Sequence, residues 1–218
     1  MEIEQYLFVL SFGVLALTSS IFGIKFVLKG NYLLGAEWLV IAFSSISIVV
    51  YALGDVDAAY SAAGFCDAFL RGCGGPGIMI LGLMAVTHDY KPLPYLDVYL
   101  FGGALAATAA LVAFDAAAQF RPVFYLCTWS ILSIYLAYFV RRLFRAGAYG
   151  HALAVGAVLA ATQVVAVLYA IYTFPDDEEH LDFYILAAPV WSFLCVEMYY
   201  AYCVLERAKV GRSRKTFA

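Results

Sequence analysis

Apolar residues run along this chain in seven long stretches, each closed by a short polar or turn-forming break. The stretches cover about Tyr6–Ile24, Tyr32–Leu53, Ala59–Val86, Tyr95–Ala118, Val123–Val140, His151–Phe174 and Leu181–Leu205. The breaks carry turn chemistry: Lys29-Gly30-Asn31, Gly54-Asp55, Lys91-Pro92-Leu93-Pro94, Arg121-Pro122, Gly147 and Pro175-Asp176-Asp177. Each stretch is near or above the roughly 20 residues that cross a bilayer as a helix. No alternating pattern of barrel strands appears, and lipid offers no partners to an open backbone, so all seven are predicted helical. The third stretch is the weakest span, because it holds Asp67, Arg71, Pro76 and four glycines from Gly72 to Gly77.

Composition agrees with this pattern. Of 218 residues, 65% are hydrophobic and 13% charged, against about 25% charged in an ordinary soluble domain. The expected fold is an all-α polytopic membrane protein, seven transmembrane helices in one bundle over 1–206, with a basic cytoplasmic tail over 207–218. Seven spans take roughly 140 residues, which leaves no room for a soluble catalytic or nucleotide-binding domain. The acidic start, Met1-Glu2-Ile3-Glu4-Gln5, does not look like a signal peptide.

The charges are sorted along the chain. Lys25, Lys29, Lys91, Arg141, Arg142, Arg145 and the tail cations Arg207, Lys209, Arg212, Arg214 and Lys215 fall at alternate connections. Glu2, Glu4, Asp55, Asp57, Asp176, Asp177, Glu178, Glu179 and Asp182 fall at the others, where Arg121 is the lone cation. The positive-inside rule then predicts the N-terminus outside and the C-terminus in the cytoplasm, with a bacterial inner membrane presumed. The basic tail fits anionic lipid headgroups better than nucleic acid. The run from Lys29 to Asp55 is weakly echoed by the run from Arg145 to Asp176, the pattern of parallel repeats in some transporters; hairpins with basic and acidic ends also resemble each other without duplication.

Ionisable residues within spans are the candidate functional groups, since charge in hydrocarbon is expensive and faces the bundle interior. Asp67 and Arg71, one turn apart, share a face and lie about 12 and 18 Å from the outer end. They read either as the centre of a solute or proton path or as an ion pair that fixes helix contacts. Glu197 in the seventh stretch, beside Cys195, Tyr199 and Tyr200, is expected to exchange protons with the cytoplasm, with Arg71 holding an anionic solute. Glu37, one turn inside the cytoplasmic face, reads mainly as a snorkelling interfacial carboxylate. Gln163 suits an interhelical hydrogen bond, and Asp115 lies near an outer end. Gly75, Pro76 and Pro189 are candidate helix breaks beside these charges.

Tyrosines near span ends, such as Tyr6, Tyr51, Tyr60, Tyr95 and Tyr149, fit an interfacial aromatic belt. Neither metal nor nucleophile chemistry is indicated: no His-x-x-x-His, Cys-x-x-Cys or Gly-x-Ser-x-Gly occurs. Cys66, Cys73, Cys127, Cys195 and Cys203 all fall within spans, away from predicted outer loops. In helix count, orientation and loop length the chain resembles microbial rhodopsins, yet Leu181–Leu205 contains no lysine to bind retinal; no cofactor is expected. The first functional reading is a transporter or channel for a small solute or proton, with a polar site between the third and seventh helices. A ligand or lipid sensor, or an accessory or protective protein acting through a membrane or cytoplasmic partner, comes second. An intramembrane enzyme comes third.

Overall fold

The computed structural model describes residues 3–90, 93–114, 119–171 and 181–216. Eight α-helices account for nearly all of them: α1 (Ile3–Leu28), α2 (Tyr32–Gly54), α3 (Asp57–Arg71), α4 (Gly75–Thr87), α5 (Pro94–Ala113), α6 (Arg121–Arg145), α7 (Tyr149–Ile171) and α8 (Leu181–Thr216). Six are long and apolar enough to cross a membrane, and α3 and α4, bent by 56° at their break, are so only when taken together as one broken span. The expected single third helix is therefore two. At the break, a Cβ on Gly75 would run into the carbonyl oxygen of Leu70, so the chain can fold back on itself only with glycine there. Pro76 stands in the first turn of α4, where its missing N–H has no helical partner to lose.

Pro189 behaves differently from expectation. α8 runs through it without interruption, and the exposed ring points away from the core. It is the ninth residue of a helix of 36, and the loss of one backbone donor there does not interrupt the helix. The same helix continues past Leu205 to Thr216, so the first part of the basic tail prolongs the last span. α6 likewise extends beyond its apolar stretch to Arg145, since arginine stems can lie along apolar surface while their heads stay in water.

α1, α2, the α3–α4 pair, α6, α7 and α8 close a ring in which each element touches the next, and α5 stands outside it against α3 and α2. Thr108 is the one residue of α5 that is buried; its remaining surface is apolar and suits lipid contact. α1 and α2 approach most closely near Gly23 and Gly35. A Cβ on Gly35 would lie 2.5 Å from Val27 Cγ2, 3.0 Å from Val27 N and 3.2 Å from Gly23 O. Small residues at a crossing let backbones meet in this way, the usual route to helix association in lipid. Asn31 fixes the start of α2: its Oδ1 accepts from Leu34 N, and its Nδ2 donates to Gly82 O of α4 at 2.9 Å.

Candidate functional site

One cavity of about 780 Å³ opens between α1, α2, α3, α4 and α8. Its lining runs from the exposed residues Gln5, Gly54, Asp55 and Tyr60, which mark its mouth, to the buried residues Glu37, Gly75 and Met79. Glu37 and Asp55 are five helical turns apart on α2, so the cavity extends about 27 Å along that helix. Between them much of the wall is apolar, with Phe8, Phe12 and Leu15 from α1, Ile41 and Ile48 from α2 and Leu194 from α8, while Ser44, Ser45, Asp67 and Arg71 add polar groups. This volume falls in the usual range for small-molecule sites.

Arg71 occupies the side wall together with Asp67. Its Nε donates to Asp67 Oδ1 at 2.7 Å. The guanidinium carbon lies 5.3 Å from the Phe183 ring, 5.7 Å from Tyr184 and 5.5 Å from Trp191, all on α8. Such stacking suits the planar, weakly hydrated guanidinium better than an ammonium. Arg71 is 5% exposed, while its carboxylate partner meets the cavity. Thr128 Oγ1 donates to the Arg71 carbonyl at 2.9 Å, which ties the end of α3 to α6. Three helices thus converge on one residue, α3 and α8 through its side chain and α6 through its backbone.

Glu37 forms the floor. It is 1% exposed, and its Oε2 has no hydrogen-bond partner among the described residues. An interfacial, snorkelling carboxylate does not describe this residue, because α2 turns it into the bundle and away from the headgroups. Its position was legible in a pattern the charge count overlooks. Residues 37, 41, 44, 48, 51 and 55 recur every three or four positions, and all six line the cavity. They form a stripe of Glu, Ile, Ser, Ile, Tyr and Asp on one face of a helix that is otherwise apolar.

Glu197 does not join this site. Its Oε1 pairs with His151 Nδ1 at 2.8 Å, bracing α8 against the start of α7, and it does not line the cavity. Gln163 is equally remote: its Oε1 accepts from Ser133 at 2.8 Å and its Nε2 donates to Ser130 at 3.3 Å, joining α7 to α6. Gly75 lines the floor beside Glu37, whereas Pro76 and Pro189 do not touch the cavity. Asp115 lies outside the described residues. The five cysteines are free thiols.

Beyond the floor the bundle is shut. Phe26 and Trp38 are fully buried, and the Phe26 ring stands edge-on to Trp38, Tyr199 and Tyr202 with centroids 5.6, 5.1 and 5.4 Å away. Trp38 Nε1 donates to Cys195 O at 3.1 Å, linking α2 to α8. Lys29 Nζ meets Glu206 Oε2 at 2.5 Å, and Lys209 pairs with Asp89. The Glu206 contact raises the Lys29 pKa above its ordinary 10.5, with desolvation working weakly against it.

Fold and site together define a polytopic helical membrane protein with a deep cavity that reaches a buried carboxyl group. Against known protein families, curated proteins and solved structures, the chain finds no match.

Proposed function

We propose that the protein is a carrier that moves a small solute across the membrane by alternating access, and that the α1–α2–α3–α4–α8 cavity is its solute chamber. The observation that carries this reading is the asymmetry of the chamber. It is open at the Asp55 end, stops at Glu37, and is sealed beyond by an aromatic cluster and ion pairs. Partly exposed pairs of that kind hold only about 0–1 kcal/mol each, so the seal is one that thermal motion can release. A helix interrupted at the chamber floor, as between Arg71 and Gly75, is the usual construction of carrier sites.

The sorted charges orient the chain with the mouth outside and the sealed end in the cytoplasm. Reporter fusions after Gly30 and Ala146 then read cytoplasmic, and a fusion after Asp57 reads external.

Spin labels in nanodiscs test the carrier reading without knowledge of the solute. One pair, at Gln5 and Tyr60, spans the mouth; another, at Leu28 and Val210, spans the sealed end. A carrier populates two states with opposite signs, mouth narrow when the sealed end is wide, and the Lys29→Gln, Lys209→Gln double variant shifts the balance toward the second. A single distance at both ends, unchanged in that variant, would replace the carrier with a sensor that binds its ligand from one face.

A further inference from the structure

The chemistry of the chamber floor narrows the solute. Buried polar groups in folded proteins are nearly always partnered, and leaving one unpartnered costs about 1–3 kcal/mol. Glu37 Oε2 breaks this rule at the end of a cavity large enough for a ligand. An acceptor held in that position is complementary to a hydrogen-bond donor brought by the solute. Neither neighbouring serine supplies one: Ser45 Oγ donates to Ile41 O at 2.8 Å, and Ser44 Oγ points at Ala63 O at 3.5 Å.

Charge tells the same story. Glu37, Asp55 and Asp67 line the chamber against one guanidinium, that of Arg71. Arg71 is moreover engaged by Asp67 and by the rings of Phe183, Tyr184 and Trp191. Asp67 is already balanced by Arg71, and Glu37, buried with its Oε2 unpartnered among the described residues, holds a charge only against a cation brought to it; an anionic solute seated on Arg71 would have to displace Asp67. Between the carboxyl groups, Phe8, Phe12, Leu15, Ile41 and Ile48 offer a continuous apolar wall opposite Ser44, Ser45 and Arg71.

We infer that the chamber takes an amphiphilic amine: an N–H-bearing cationic head seated on Glu37, with an apolar body lying along α1 and α2 toward the mouth. This deepens the carrier reading and rests on the cavity being the solute chamber. It replaces the anionic solute that the sequence alone suggests for Arg71.

Three probes of one shape test it: phenylbutylamine, phenylbutanol and phenylbutyrate, titrated calorimetrically into protein-loaded nanodiscs with empty nanodiscs as reference. The amine binds about tenfold or more tighter than the alcohol, as a charge-assisted hydrogen bond predicts, and the acid binds weakest. Glu37→Gln brings the amine down to the level of the alcohol. Equal binding of amine and alcohol by the native protein, or preference for the acid, overturns the inference without recourse to any variant. So does a folded Glu37→Gln protein that still prefers the amine. The experiment needs no second face: amine preference beside static spin-label distances sinks the carrier and keeps the amine site, and alternation with no amine preference does the reverse.

Discussion

At the Lys29–Glu206 end of the bundle, α1, α2 and α8 close on Phe26 and Trp38; at the Asp55–Tyr60 end, the same three helices stand apart around a cavity. The apolar content of the helices does not distinguish the two ends. Residue size and placement do. Near the closed end, Gly23 and Gly35 bring α1 and α2 backbones together, and large rings fill the space beside them. Midway toward the open end, the facing positions of α2 and α3 are small, including Ser44, Ser45, Ala63 and Gly64, and the rings of Tyr51 and Tyr60 meet only nearer the end. A membrane bundle gains little from burying apolar surface that lipid would cover equally well, so close fit decides where helices meet.

Glycine substitutions break this comparison most sharply. Gly35→Leu forces α1 and α2 apart against Val27, and a loss of about 2–3 kcal/mol or failure to fold is expected. A Cβ on Gly64 meets nothing within 4 Å, so the stability of Gly64→Leu stays within about 0.5 kcal/mol of the native protein while phenylbutylamine binding is lost. Unfolding in mixed micelles and nanodisc calorimetry check the two. Equal damage at both sites would mean that the ends do not differ as described.

A smaller effect is expected at the chamber wall. Arg71→Met removes a buried guanidinium that Asp67 and three α8 rings organise around, and a cost of about 1–3 kcal/mol follows. Arg71→Met with Asp67→Leu recovers part of that loss, because the carboxylate no longer lacks its partner. Strict additivity in the unfolding assay would show that the two residues do not cooperate.

Ion pairs at the sealed end are worth least to stability. Lys29→Gln and Lys209→Gln each lower it by less than about 1 kcal/mol, although together they shift the spin-label distances. Their pH dependence has a definite sign. Glu206 raises the Lys29 pKa, so the pair's contribution is fully present below pH 10.5, the ordinary lysine value, and fades as pH rises through the raised value. The Leu28–Val210 distance distribution should therefore stay constant between pH 7 and 10.5 and broaden only above it. Broadening that begins near neutrality would assign the seal to some other group.

Most of the scaffold was legible in the sequence because bilayer thickness leaves little choice. Apolar runs of the right length became helices, and the break at Gly72–Gly75 fell where the glycines are densest. The one-turn spacing of Asp67 and Arg71 likewise predicted their contact. Tertiary partners were less legible. Glu37 was read by its depth along α2, and depth says nothing about which way a side chain points around the axis; the stripe from Glu37 to Asp55 carries that information. His151 and Glu197 lie 46 positions apart in sequence, and only the neighbouring of α7 and α8 makes them a pair. Pro189 failed as a break because its position in a long helix, more than its presence, determines what it disturbs.

Thiol labelling at the middle of the chamber tests the central claim most directly. Ser45→Cys, placed in a background without the five native cysteines, is exposed to a membrane-impermeant maleimide from one face of a sealed vesicle at a time. The native seal predicts labelling from the Asp55 side, and the Lys29→Gln, Lys209→Gln variant predicts added labelling from the opposite side. Labelling from the Lys29 side alone, or from neither side, would contradict a chamber that opens at Asp55 and is sealed beyond Glu37.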